Sequence, residues 1–151
     1  MKTAIIFLLF FAHAIKAQEL TLKLLEEVAN HSSEKINHKV IEKYNFIHVP
    51  EESDNHQNTY KNKSNLKDWF ITITVIPAKK SCKNIVTAVI GKNHDFVSLK
   101  KQLLSAGYTF AGEKLLNTEI TLLHYIKNNY LFSISKEITS TGAYQILFTC
   151  K

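Results

Sequence analysis

The last third of the chain, Glu119–Lys151, limits the possible folds more than any other stretch. It contains three segments rich in β-branched and aromatic residues, which short polar turns separate: Glu119–Lys127, Tyr130–Ile138 and Ala143–Cys150. Such side chains fit a pleated, half-buried surface, and turns as short as Asn128–Asn129 join antiparallel neighbours. The pattern therefore predicts three consecutive antiparallel strands.

Two more strands are predicted in the middle of the chain. Along Asp68–Ile76, Trp69 and the odd-numbered aliphatic residues point one way while the even-numbered residues point the other. Asn84–Ile90 is apolar almost throughout, which is typical of a strand that is central or covered on both faces. These strands extend the predicted sheet or form a second one of the same kind.

Three segments show helical periodicity: Gln18–Asn30, Glu34–Tyr44 and Phe96–Ala106. Gly107 is well placed to end the last of them in a left-handed conformation. The first two are separated by a polar turn, although one long bent helix is the alternative. Asp95 is a candidate N-cap for the third helix. Together with the strands, these helices predict an α+β fold, an antiparallel sheet with helices packed on one face.

The chain has the length of one domain, and its two halves follow a similar order of elements. In each half, of residues 18–91 and 92–151, a helical segment precedes an aromatic extended segment and then several strands. Tyr44-Asn45-Phe46 would correspond to Tyr108-Thr109-Phe110, and Tyr60 to Tyr125. We expect a single domain over residues 18–151, built either from two half-repeats or, as the alternative, from halves that are similar by chance.

Two stretches are predicted to lie outside the regular elements. Glu51–Lys67 is rich in Asn and charged residues, with Tyr60 and Leu66 as its large apolar residues, so we expect a loop that is mobile rather than functional. After an extended Tyr108–Ala111, the stretch Gly112–Asn117 is also expected to be a loop.

The first seventeen residues are typical of a signal peptide. A basic residue, Lys2, precedes the apolar run Ala4–Ala12, which is shorter than the about 20 residues that span a bilayer. Cleavage is expected between Ala17 and Gln18, which would send the protein to the periplasm or outside the cell, and an uncleaved anchor is the alternative. No transmembrane segment is expected in the mature chain.

The charge pattern argues against nucleic-acid binding. The chain carries +6, and every basic residue is a scattered lysine rather than an arginine. Lysine lacks the planar fork that grips phosphates and guanine edges, and no basic stripe is present. The lysines therefore indicate a solvated surface.

The two cysteines are expected to form a disulfide. Cys82 and Cys150 have no metal-site or CxxC spacing, and export takes them into an oxidising compartment. Two free thiols or a bridge to a partner are the alternatives. The bridge would tie the last predicted strand to the middle of the chain.

Motifs for chemistry are lacking in the sequence. There is no GxSxG, no HExxH, and with four glycines no Gly-rich phosphate loop. Glu34, His38 and Glu42 share one helix face, but a solvated polar face explains that spacing. His124 falls within a strand and is interpreted as a partly buried structural histidine. We expect no catalytic residue, metal site or cofactor.

Aromatic residues supply the remaining functional signal. Tyr and Trp are common anchors of interfaces. If one sheet face is uncovered, four aromatic residues are therefore expected to form a partner-binding surface: Trp69, Tyr125, Tyr130 and Tyr144. Ordinary core and cross-strand packing is the alternative.

The expected function is that of an exported non-catalytic binding protein acting through a protein–protein contact surface, as an inhibitor, an immunity protein or an envelope-assembly factor. The alternatives are a small envelope hydrolase or metal-dependent enzyme with an unidentified site, and a stress or scaffold protein without a specific ligand.

Overall fold

The computed structural model describes residues 19–64, 66, 68–79, 81–92 and 96–151. The predicted signal peptide and the candidate cap Asp95 lie outside these residues. Within these residues there are three helices, eight strands and a short 3-10 turn at Pro50–Glu52. In chain order the helices and strands are α1 (Leu22–Asn30), α2 (Glu34–Lys43), β1 (Ile47–His48), β2 (Asn58–Lys61), β3 (Ile71–Pro77), β4 (Asn84–Gly91), α3 (Phe96–Ser105), β5 (Thr109–Leu115), β6 (Thr121–Lys127), β7 (Tyr130–Ser135) and β8 (Ala143–Cys150).

All eight strands form one antiparallel sheet. Its order is β1-β2-β3-β4-β8-β7-β6-β5, so β4 and β8 lie side by side at the centre. Helix α1 packs against both central strands and also touches α2 and α3. The predicted α+β fold, with helices on one face of an antiparallel sheet, is therefore confirmed.

The core lies between the helices and one face of the sheet. Side chains at alternate strand positions meet the apolar faces of the helices, because strand side chains alternate between the two faces. The fully buried members include Ile73 of β3, Val86 of β4, Phe148 of β8 and Phe132 of β7, with Leu25 of α1 above them. We call this side the helix face and the opposite side the open face.

The structure joins the two predicted sheets edge to edge. Strands β1–β4 and β5–β8 are each a meander of consecutive strands, and the last strands of the two meanders pair with each other. Tyr60 in the second strand of the first meander and Tyr125 in the second strand of the second are both buried on the helix face. This layout agrees with the idea of two half-repeats, whose origin by duplication stays a prediction.

Helices α2 and α3 end in the same way. The amide of Phe46 donates to the carbonyl of Ile41, and the amide of Tyr108 donates to that of Leu103. The residues just before these two amides, Asn45 and Gly107, adopt left-handed φ values of 64° and 85°. Tyr108 therefore occupies the place of Phe46, two residues away from the correspondence that the sequence suggested.

Two stretches that were predicted to be loops contain strands. Strand β2 lies inside the predicted polar loop Glu51–Lys67, and Thr59 and Tyr60 are buried there. The polar composition of β2 gave no indication of a strand. This strand is stabilised by pairing with β3 and by the buried side chain of Tyr60 rather than by an apolar run. Strand β5 extends through Gly112 to Leu115. A bulge between Phe110 and Gly112 shifts its register with β6, and the pairing continues beyond it.

The predicted disulfide between Cys82 and Cys150 is confirmed, with a Cα–Cα distance of 5.2 Å. Both cysteines are buried, and they join the turn between β3 and β4 to the end of β8. Within the described part of the chain, no helix combines the length and the apolar character needed to cross a bilayer.

Candidate functional site

The open face of the sheet is the face on which no described helix packs. The register fixes which side chains point there, because residues opposite each other on paired strands share a face. Apart from the small Ala143 of β8, the outward side chains of the five strands β3, β4, β8, β7 and β6 are Thr72, Thr74, Ile76; Ile85, Thr87, Val89; Gln145, Leu147, Thr149; Leu131, Ser133, Ser135; and Leu122, His124, Ile126.

The centre of the open face carries aliphatic and hydroxyl side chains and no Asp, Glu, Lys or Arg at the outward positions just named. The solvated face of an antiparallel sheet is ordinarily polar, and charged groups are frequent on such surfaces. These side chains are half-buried or buried by their neighbours on the sheet. These positions of the open face therefore form an uncharged platform of mixed aliphatic and polar side chains.

The single titratable group at those positions is His124. Its Nδ1 lies 2.7 Å from the hydroxyl oxygen of Ser133, and its Nε2 is buried without a hydrogen-bond partner. Burial, and next the positive charge of Lys114, lower the pKa of His124 from its ordinary value of 6.5. The imidazole is therefore neutral at neutral pH, and the platform stays uncharged.

Charged side chains surround the platform. Lys61 on β2 and Lys114 on β5 occupy outward positions on the strands that flank it. At one end, Lys92 and Asp68 form an ion pair of 3.3 Å. The open face thus has an uncharged centre and a charged rim, and depletion of charge at the centre is common in protein interfaces.

The segment before β3 closes that same end. The amide of Gly91 donates to the carbonyl of Phe70 at 2.8 Å, which extends the pairing of β3 with β4 by one residue. A Cβ atom at Gly91 would lie 2.4 Å from the carbonyl oxygen of Asp68. Glycine is therefore required here because a neighbouring backbone approaches too closely for a side chain.

The predicted aromatic contact residues do not lie together on the open face. Tyr125, Tyr130 and Tyr144 point to the helix face. Tyr125 is 2% exposed, Tyr130 stacks on Phe148, and Tyr144 stacks on Phe96 of α3. Their contact with a partner stays a prediction, and their observed contacts are with the core and the helices.

Trp69 lies in the turn that leads into β3 and is half-buried. Its amide donates to the carbonyl of Leu66 at 3.0 Å, and its carbonyl accepts a 2.8 Å hydrogen bond from the side chain of Asn62. Asn62 also accepts from the amide of Ile71 at 2.9 Å. This backbone is therefore fixed by one buried asparagine.

The helix histidine singled out in the sequence belongs to a chain of polar contacts that runs from the buried Tyr60 to the exposed Glu34. His38 Nδ1 lies 2.8 Å from the hydroxyl of Tyr60, and its Nε2 lies 3.5 Å from a Glu34 carboxylate oxygen. Burial, and then Glu34 and Glu42, raise the pKa of Tyr60 far above its ordinary value, so Tyr60 keeps its hydroxyl proton at neutral pH. Because Tyr60 is fully buried, this chain anchors α2 to β2.

Metal-ligating side chains do not gather in the described residues. No group of three or more His, Cys, Asp or Glu side chains there is arranged to hold an ion. His94, another histidine in the sequence, lies outside the described residues.

Sequence reasoning missed the open face as a site, although a signal was present. The outward positions of β3 and β4 carry Thr, Ile and Val where a solvated face would carry Lys or Glu. The chain matches no protein-family model, no curated protein and no solved structure, so its function has to be argued from its own residues.

Proposed function

We propose that this chain is an exported, non-catalytic binding protein whose open face docks a protein partner. The observation that carries this proposal is the absence of charged side chains at the outward positions of β3, β4, β8, β7 and β6. Depletion of charge at the centre, with a charged rim, distinguishes an interface from ordinary surface. The roles that such binding would serve are those of an inhibitor, an immunity protein or an envelope-assembly factor.

The size of the platform determines how much of the surface must take part. With strands about 4.8 Å apart and residues about 3.4 Å apart, five strands with three outward positions cover about 19 by 14 Å. A standard interface buries about 800 Å² on each partner, which exceeds this footprint. The partner therefore also contacts the rim, where Lys61 and Lys92 are paired with Glu52 and Asp68 and Lys114 adds a further positive charge.

Export is supported by two features of the chain. The disulfide between Cys82 and Cys150 persists in oxidising compartments, whereas the cytosol keeps thiols reduced. The apolar run near the N-terminus has the length of a signal-peptide core. The proposed location is the periplasm or the extracellular space.

Capture from the native envelope, combined with a charge placed on the open face, tests the proposal. The purified exported protein is immobilised, a captured protein is identified by mass spectrometry, and its Kd is measured with both proteins purified. Leu147→Lys puts an ammonium at the centre of the platform, and we expect the Kd to rise more than tenfold because that charge would be desolvated on binding.

Val97→Lys is the matched control. Val97 lies on α3 and is 59% exposed, so the same substitution there leaves the open face unchanged. We expect unchanged capture and, for both variants, a thermal transition close to that of the parent. Failure to recover a specific partner, or equal affinity of Leu147→Lys and the parent, contradicts the proposal.

A further inference from the structure

Two tripeptides of the chain match the acceptor sequence for N-linked glycans, an asparagine followed after any residue but proline by serine or threonine. They are Asn30-His31-Ser32 and Asn62-Lys63-Ser64. An attached glycan is bulky and hydrated, so the folded protein can bear one only where the asparagine side chain reaches the surface. The structure therefore discriminates between the two positions.

Asn62 has no room for a glycan. It is 8% exposed, its Nδ2 donates to the carbonyl of Trp69 at 2.8 Å, and its Oδ1 accepts from the amide of Ile71 at 2.9 Å. A sugar on Nδ2 would have to occupy the filled space around these bonds. Asn62 can therefore carry a glycan only in a chain that has not reached this fold.

Asn30 lies at the surface. It is the last residue of α1 and is exposed, and residues 31–33, which link α1 to α2, are in neither helix nor strand. His31 already has the extended dihedral angles φ −87° and ψ 126°. The motif thus lies where a helix gives way to a surface connection, which is the setting expected of a glycan acceptor in a secreted protein.

The polar contacts of Asn30 are compatible with a modified amide. Its Nδ2 donates to the carbonyl of Glu26 at 2.7 Å and to the hydroxyl of Tyr130 at 3.0 Å, and that hydroxyl also lies 3.2 Å from Oδ1. A glycosylated amide keeps one of its two hydrogens, so one of the two Nδ2 contacts is given up. These contacts are exposed, and water replaces a lost one at little cost.

Asn30 also lies on the side of the molecule opposite to the open face. Helix α1 packs on the helix face, and Tyr130, which contacts Asn30, points to that same face. A glycan at Asn30 therefore leaves the open face uncovered and accessible to a protein partner.

We propose that Asn30 is an N-glycosylation site, so that the mature protein carries a glycan there and none at Asn62. In the transfer, Asn30 Nδ2 forms a bond to C1 of the first sugar of a lipid-linked oligosaccharide diphosphate. The bond from C1 to the diphosphate oxygen breaks, the lipid diphosphate leaves, and the amide gives up one proton, so nothing is oxidised or reduced. This inference rests on the proposed export and selects its extracellular alternative.

Mass spectrometry of the protein secreted by its native cells tests the inference. The intact mass is measured before and after treatment with peptide N-glycosidase, and treatment in heavy-oxygen water labels the residue that carried the glycan. We expect the treatment to lower the mass, with the label at Asn30 and none at Asn62.

Three serine variants, secreted from the same cells, give matched controls. Ser32→Ala destroys the acceptor motif and leaves Asn30 in place, and we expect complete loss of the glycan. Ser33→Ala makes the same change one residue later, outside the motif, at a position whose side chain makes no capping hydrogen bond to α2. Ser33→Ala, and Ser64→Ala in the motif of Asn62, are expected to leave the glycan unchanged.

The outcomes separate this inference from the proposed export. A secreted chain that has lost its N-terminal segment and formed its disulfide, but has an unmodified Asn30, overturns the inference and leaves export intact. Recovery of the chain only from the cytosol contradicts export and the inference with it. A glycan that persists in Ser32→Ala, or a label at Asn62 of the folded protein, also overturns the inference.

Discussion

At the scale of single residues, His124 makes the stability of the sheet depend on pH. Burial lowers its pKa below the ordinary 6.5, so the unfolded chain binds a proton at a higher pH than the folded chain does. Stability rises with pH wherever the unfolded state binds more protons. The contribution of His124 is therefore fully present above about pH 6.5 and is lost as the pH falls through its lower folded pKa.

Replacement of His124 tests this linkage. We expect the free energy of unfolding of the parent to decline between pH 7.5 and 5, and His124→Asn to remove part of that decline while it retains a polar partner for Ser133. Urea unfolding at a series of pH values gives the measurement. Parallel curves for the parent and the variant over this range would contradict the assignment.

At the scale of elements, the disulfide holds the end of β8 to the turn before β4. The two cysteines are 68 residues apart, and closing a loop of that length removes about 4 kcal/mol of entropy from the unfolded chain in the loop-closure model. The pairing of β4 with β8 also holds these two segments together, and it remains when the disulfide is reduced. We therefore expect the fold to survive reduction, with lower stability.

The double variant Cys82→Ser and Cys150→Ser measures this contribution. We expect its free energy of unfolding, from denaturant titration, to fall by about 3–5 kcal/mol with the far-ultraviolet circular dichroism of the native state retained. The single variant Cys82→Ser is the control for the loss of a buried sulfur atom, measured under reducing conditions. Equal unfolding midpoints of the parent and the double variant would show that the bridge adds nothing.

At the scale of the whole molecule, the two meanders share one core. Strands β4 and β8 pair along six residues each, and α1 lies across both of them. Each meander needs the other to cover the edge of its last strand, β4 or β8, so the two halves are expected to unfold together. A joint core of this kind is what makes a small protein unfold in a single step.

Two probes, one in each half, test this cooperativity. Trp69, the one tryptophan of the chain, reports on the first half by its fluorescence. The amides of β7 report on the second half by hydrogen exchange in denaturant. We expect both to give the same unfolding free energy, whereas two separate transitions would show that the halves are independent domains.

Local sequence patterns predicted a large part of the fold. Strand β8 occupies Ala143–Cys150 as predicted, since alternation and the flanking turns are local features. Gly107 has the predicted left-handed conformation, because a single residue without Cβ meets that requirement. The disulfide followed from the presence of two cysteines in a chain expected to be exported.

Long-range packing decided the rest. Strand β2 forms because it pairs with β3. The composition of β2 itself does not indicate this pairing. The same holds for the contact between His38 of α2 and Tyr60 of β2, two residues that are distant in sequence. The sequence therefore could not reveal that Asn37 would be buried with an unpaired oxygen.

The alternation of side chains by itself determined that Tyr130 and Leu131 lie on opposite faces of the sheet. Only the tertiary structure decided which face the helices cover, so that Tyr130 meets Phe148 and α1 while Leu131 stays on the open face. The physical reason is that alternation is set by each strand's own backbone. The burial of one face depends on helices that come from elsewhere in the chain.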